Sequence, residues 1–148
     1  MDTTRNGPEI KIAGSKNTRS KKMKLGLDIH GVIDKYPSIY VDLACNLRCL
    51  EGNNGVYIIT GQSITQELID QLRSYCNGDC FWDELISIQD RLISAKAPIL
   101  GYDEDRPLFD EVIWNSFKGQ YCKTHKIDLM IDDSIEYREY FTTPFLLA

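Results

Sequence analysis

The sequence has no apolar run near the length of about 18 to 20 residues that a membrane helix needs, and it contains no internal repeat. Its first 24 residues mix charges with Gly, Ser and Asn, so no apolar segment there can act as a secretory signal. We therefore expect a cytoplasmic protein without a membrane partner. The chain has 148 residues, of which 43% are hydrophobic and 26% are charged. This length and composition suit one compact domain with a substantial core.

The cysteines lack the spacing of a disulfide framework or a zinc knuckle. There are five, an odd number in a chain without an export signal, which predicts reduced thiols. Cys76, Cys80, Cys122 and His125 can be drawn together as a zinc site, but neither pair has the tight C-x2-C spacing. Ordinary buried thiols are the favoured interpretation.

Charge is distributed unevenly along the chain. Residues 1–24 carry seven Lys or Arg and two acidic residues, a net charge of +5, so the remaining 124 residues carry −10. We interpret residues 1–23 as a basic, flexible N-terminal arm and residues 24–148 as the folded domain. The arm is a candidate for binding nucleic acid, although segments of this composition are more often simply disordered in solvent. The acidic charge of the domain disfavours broad affinity for nucleic acid. The sequence leaves the oligomeric state open.

Short apolar segments alternate with segments of helical spacing. Strands are predicted over five segments: 24–30, 56–60, 82–88, 127–133 and 141–147. Helices are predicted over three segments: 37–50, 63–76 and 115–123. Ser63, three residues before Gln66, is the expected N-cap of the second helix. The alternation predicts an α/β fold of the Rossmann-like three-layer type, in which helices cover both faces of a mostly parallel sheet.

Polar residues stand at the ends of three predicted strands: Asp28 and His30, Thr60 and Gly61, and Asp132 and Asp133. The carboxyl ends of parallel strands share one edge of a sheet, where ligands bind. Carboxylates gathered there repel one another unless a cation neutralises them, and hard oxygen ligands favour Mg²⁺. The Thr60 hydroxyl and the Gly61 amide suit the phosphate that Mg²⁺ would attract, and Lys118 can supply compensating charge. Taken singly, each residue is more often a turn or capping residue, but together and in this order they favour a site.

Four segments together resemble the motifs of the haloacid dehalogenase superfamily. The first motif of that superfamily is a strand followed by D-x-D-G-V/T, and it resembles Asp28-Ile-His-Gly-Val-Ile-Asp34. The second motif is an apolar strand that ends in Thr or Ser, and it resembles Ile58-Ile-Thr60-Gly61. Lys118 is similar in placement to the third-motif lysine, and Leu129-Met-Ile-Asp132-Asp133-Ser134 to the fourth motif. The resemblance spans residues 24 to about 148. It implies a magnesium-dependent phosphohydrolase without a large cap domain, since a single predicted helix lies between Asp34 and Val56.

The resemblance also implies a role for each residue. Asp28 would attack a phosphate monoester and form an aspartyl-phosphate. Mg²⁺ would lie between Asp28, the main-chain carbonyl of His30 and a carboxylate of the Asp132–Asp133 pair. Thr60 and Lys118 would hold the transferring phosphoryl group. The expected ligand is a phosphorylated small molecule or a nucleotide.

His30 departs from the family pattern, in which this position is usually an Asp that protonates the leaving group and then activates water. A histidine can serve as acid and base, because the unperturbed histidine pKa of about 6.5 lies near neutral pH. The alternative is a catalytically weak protein that binds a phosphorylated ligand or a partner protein.

Other segments are expected to play structural parts. Residues 89–110 are predicted to be irregular, a solvated surface loop rather than a cover over the site. Trp82, Trp114 and Tyr137 are expected to pack in the core, with stacking on a base as the alternative for the two tryptophans.

Overall fold

The computed structural model of the protein describes residues 22–148. The arm predicted over residues 1–23 lies outside this range except for Lys22 and Met23. The strands are β1 (Lys24–Leu27), β2 (Gly55–Thr60), β3 (Glu84–Ser87), β4 (Gly101–Asp103), β5 (Arg106–Leu108), β6 (Leu129–Asp132) and β7 (Phe145–Leu147). The helices are α1 (Pro37–Cys49), α2 (Gln66–Ser74), α3 (Ile88–Ser94), α4 (Glu111–Thr124) and a 3-10 helix (Ile135–Tyr140).

Five strands form one sheet in the order β3-β2-β1-β6-β7, and every neighbouring pair is parallel. β4 and β5 form a separate antiparallel hairpin. The predicted α/β fold with a parallel sheet flanked by helices is therefore confirmed, including the C-terminal strand. One helix, α1, lies between Asp34 and β2.

The sheet is apolar on both faces, as strands covered by helices on each side require. Ile58 belongs to one buried cluster with residues of α1 and α2, while the next residue, Ile59, belongs to a second cluster with residues of α4. β6 alternates in the same way, because Met130 lies in the second cluster and Ile131 in the first. Two cores on opposite faces of one sheet make three layers.

The start of α2 differs from the prediction. Thr65, not Ser63, is the N-cap, and its hydroxyl oxygen accepts a hydrogen bond from the Leu68 amide at 3.1 Å. Ser63 instead donates its hydroxyl to Asp90 at 2.6 Å, and the same carboxylate accepts the Ile64 amide at 3.0 Å. This long-range acceptor holds the chain extended for two further residues, so the capping-box spacing was misleading.

The segment 89–110 is more regular than predicted. α3 begins at Ile88, with Ser87 as its N-cap, and the β4–β5 hairpin follows. α4 begins at Glu111, four residues before the predicted start, because the Asp110 carboxylate accepts the amides of Val112 and Ile113 at 3.1 Å each. Three-residue strands and a seven-residue helix are too short for periodicity to reveal.

The zinc alternative is not supported within residues 22–148, where the one group of metal-ligating side chains is a cluster of three aspartates. Cys122 is buried, and burial raises the pKa of its thiol to about 12. The Cys45 and Cys76 sulfur atoms lie 3.7 Å apart as free thiols.

Across the same residues, none of the helices is both long enough and apolar enough to span a bilayer.

Candidate active site

The two central strands bring two aspartates together at the carboxyl edge of the sheet. Asp28 directly follows β1, and its amide donates to the Ile131 carbonyl of β6 at 3.0 Å, which extends the ladder by one residue. Asp132 ends β6, and Asp133 comes next in the chain. Asp28, Asp132 and Asp133 each offer an oxygen atom, and these three atoms lie within 4.8 Å of one another. The clustering predicted from the strand ends is present.

Lys118 of α4 ties the two buried aspartates together. Its Nζ lies 3.0 Å from Asp28 Oδ1 and 2.6 Å from Asp132 Oδ2. The lysine is 1% exposed and Asp132 is 0% exposed. Buried charges are tolerated when they are paired in this way. The sequence predicts Lys118 as a compensating charge for the clustered carboxylates, but its sequence separation from Asp28 gives no sign of a direct contact.

Burial and neighbouring charges act in opposite directions on the pKa values of Asp28 and Lys118. Burial raises the pKa of Asp28 to about 6, although Lys118 lowers it; the neighbouring Asp132 carboxylate raises it further. For Lys118, burial lowers the pKa, but the charges of Asp28 and Asp132 outweigh burial and raise it above its ordinary value. Lys118 therefore stays protonated at neutral pH, whereas the Asp28 carboxylate is held in an unfavourable environment.

Asp132 and Asp133 have different surroundings. Asp132 is enclosed, since Lys118 binds one of its oxygens and the other accepts the Ser134 amide at 3.0 Å. Asp133 is exposed and lines the cleft above the sheet. Its carboxylate packs against Gly31, which has a φ of +77°, and any side chain at that position would overlap it. Gly31 thus supplies both a left-handed backbone and space for Asp133.

His30 lies at the mouth of the site, with 70% of its side chain exposed. Its Nδ1 lies 3.1 Å from Asp34 Oδ2, and the other Asp34 oxygen accepts the Gly31 amide at 2.7 Å. Its Nε2 lies 3.3 Å from the Gln62 side-chain nitrogen. Asp34 therefore orients the ring. The four-residue spacing of His30 and Asp34 was the available signal for this partner, which sequence analysis did not single out.

Thr60 is the last residue of β2, and Gly61 directly follows the strand. Thr60 is 0% exposed, and its hydroxyl oxygen accepts the Gln62 amide at 3.4 Å. Gly61 lines the cleft and packs against the Trp114 ring so closely that a side chain would overlap the indole. Thr60 is thus enclosed and is not among the residues that line the cleft, whereas Gly61 is.

The cleft has a volume of about 420 Å³. Five of the predicted site residues line it: Asp28, His30, Gly61, Lys118 and Asp133. Five others that the sequence analysis did not assign to the site also line it: Gln62, Arg106, Trp114, Ser134 and Tyr137. Trp114 and Tyr137, which were expected to pack in the core, are half-buried, lie outside both buried clusters and line the cleft. The Trp114 indole nitrogen donates to the Tyr137 hydroxyl at 3.3 Å, so the two rings form one wall of the cleft.

Comparison of the chain with protein-family models, with curated proteins and with solved structures gave no match.

Proposed function

We propose that the protein is a magnesium-dependent phosphohydrolase of the haloacid dehalogenase type that cleaves a phosphate monoester through an aspartyl-phosphate on Asp28. The observation that carries the proposal is the buried Lys118, ion-paired with Asp28 and Asp132 where the two central strands end. An open cleft lies directly at these residues. Two buried carboxylates and one buried lysine are costly to fold, and such costs concentrate at functional sites.

The acidic cluster suits a divalent cation. Asp28, Asp132 and Asp133 provide hard oxygen donors within 4.8 Å, and with protonated Lys118 their formal charge sums to −2. Asp132 is already occupied by Lys118 and the Ser134 amide, so Asp28 and Asp133 are the carboxylates that face the cleft. The superfamily resemblance adds the His30 carbonyl. Bound Mg²⁺ would offset the negative charge of a phosphate.

The chain's own residues supply the covalent steps. An Asp28 carboxylate oxygen attacks phosphorus while the bond to the leaving-group oxygen breaks, and His30 gives that oxygen a proton. His30 then takes a proton from water, whose oxygen attacks phosphorus, and the bond to Asp28 breaks to release inorganic phosphate. Asp34 at 3.1 Å holds Nδ1, so both proton transfers would use Nε2, which must exchange its 3.3 Å contact with Gln62 for the reacting oxygen.

Phosphate release from an aryl phosphate and from nucleoside monophosphates, with and without Mg²⁺, tests this proposal. We expect Mg²⁺-dependent release that Asp28→Asn lowers by about 10³-fold or more, as removal of a nucleophile does. Asp70→Asn, which changes an exposed aspartate on α2, is the matched control and retains activity. Release that is independent of Mg²⁺, or equal in wild type and Asp28→Asn, would overturn the proposal.

His30→Asp separates the enzyme from the weakly catalytic binding protein. We expect turnover at pH 7 to fall by about 10²-fold or more, the scale of a lost acid–base catalyst. The physical reason is that Asp34, which orients the His30 ring at 3.1 Å, would repel a carboxylate at this position and would not hold it for proton transfer. Turnover is compared by kcat in saturating Mg²⁺. A rise in kcat would mean that His30 impairs the site and would favour a binding role.

A further inference from the structure

The β4–β5 hairpin brings one arginine to the cleft. The Arg106 side chain is 59% exposed, and its carboxylate neighbour in the hairpin, Asp103, lies 3.9 Å away, at the limit of an ion pair. Such a contact is worth little in water, so Arg106 can exchange it for a ligand anion. Lys118 differs from Arg106 in being enclosed between Asp28 and Asp132, at 3.0 Å and 2.6 Å.

A second pocket of about 240 Å³ adjoins the cleft, since Arg106 and Trp114 line both. Its aromatic side is formed by Phe109 and Trp114, whose rings stack with centroids 6.1 Å apart and an angle of 17°. The indole is held in place by its hydrogen bond to Tyr137 and by its contact with Gly61. A fixed aromatic wall of this kind is a surface on which a planar ring can stack.

Two polar side chains complete the smaller pocket. Glu111 and Asn115 line it from the first turns of α4, and their spacing of four residues places them on one face of the helix. Glu111 can accept hydrogen bonds, and the Asn115 amide can both donate and accept. A carboxylate and a carboxamide beside an aromatic wall match the hydrogen-bonding edge of a nucleobase.

We propose that this second pocket binds the base of a nucleoside monophosphate whose phosphate lies at Asp28. Arg106, which lines both the pocket and the cleft, would contact the part of the ligand between its base and its phosphate. The proposal rests on the proposed function for its reaction, and it narrows the substrate to a class. A single nucleotide fits better than a polymer because the domain carries a net charge of −10 beyond residue 24, which disfavours a long phosphate backbone.

The turnover test compares adenosine 5′-monophosphate with ribose 5-phosphate, which has the same reacting group and no base. We expect wild type to favour the nucleotide about tenfold in kcat/KM, the scale of one stacked base. Arg106→Ala and Asn115→Ala reduce this preference, whereas Arg73→Ala, an exposed arginine on α2, keeps it. Mg²⁺-dependent hydrolysis of both compounds without preference would overturn the base pocket and leave the phosphohydrolase intact.

Binding is measured separately, so that the base pocket is tested even if nothing is hydrolysed. Equilibrium dialysis of labelled adenosine 5′-monophosphate against Asp28→Asn, in Mg²⁺, measures affinity without turnover. We expect saturable binding that weakens about tenfold in Asp28→Asn with Arg106→Ala, the scale of a lost charge-assisted contact. Competition by ribose 5-phosphate is expected to be weaker than by the unlabelled nucleotide. Failure to bind, or equal competition by the two compounds, would refute the base pocket.

Discussion

Lys118→Met is expected to lower the free energy of unfolding at pH 7 by about 3–5 kcal/mol, because it leaves two enclosed carboxylates without their cation. Methionine keeps the length of the side chain, so the packing of α4 changes little. Asp28 and Asp132, at 3.0 Å and 2.6 Å from the lysine nitrogen, would then repel each other. Urea unfolding followed by circular dichroism measures the loss, and phosphate release is expected to disappear with it.

Lys123→Met provides the control, since Lys123 is an exposed lysine of the same helix. Its effect is expected to stay within about 0.5 kcal/mol. Adding Asp28→Asn to Lys118→Met removes one of the two unpaired carboxylates, so the double variant is expected to be more stable than Lys118→Met alone. A loss below about 1 kcal/mol for Lys118→Met would show that the ion pairs contribute little to folding.

Asp28→Asn is expected to stabilise the magnesium-free protein by about 1–3 kcal/mol at pH 8, although it removes the proposed nucleophile. Burial raises the pKa of Asp28 to about 6, which means that the folded protein disfavours the charged carboxylate even beside Lys118. Asparagine has nearly the same shape and no charge. Thermal unfolding in EDTA compares the two proteins, and added Mg²⁺ is expected to stabilise wild type more than the variant.

The stability gained by Asp28→Asn is expected to increase as pH rises. The folded-state pKa of about 6 exceeds the unfolded value of about 3.9, so folded wild type binds the proton more tightly. The Asp28 contribution to wild-type stability is therefore full below about pH 4 and is lost as pH rises towards 6. The advantage of Asp28→Asn is accordingly small at low pH and complete above about pH 6. A difference that does not vary with pH would contradict this account.

The parts of the fold that the sequence predicts well are those with strong local signals. β2 has an apolar, β-branched sequence bounded by glycines, and α1 opens on Pro37, so both lie where expected. Ser63 shows the limit of local signals, because its hydroxyl is taken by Asp90, 27 residues away. The hairpin containing Arg106 is hidden for a different reason, since its strands have three residues each and no alternating pattern.

The residues of the candidate site also differ in whether local sequence signals reveal them. Asp28, Gly61 and Asp133 can be located from strand ends, since parallel strands present these ends at one edge. Arg106 and Trp114 come from a hairpin and a helix whose positions over the cleft depend on tertiary packing. The residues that the sequence predicted are thus those that would take part in the proposed reaction. The residues that it missed line the side of the cleft where a leaving group would lie.

The strand order also determines when the site can exist during folding. β1 lies at the centre of the sheet, but its partner β6 is far along the chain; Lys24 and Asp128, whose hydrogen bond joins the amino ends of the two strands, are 104 residues apart. Contacts of such high sequence separation form late because their loop-closure entropy must be paid first. A nascent chain that lacks β6 has an unpaired edge on its central strand and only one of the three clustered aspartates. Recovery of the proposed magnesium binding during refolding would therefore report that β1 and β6 have paired.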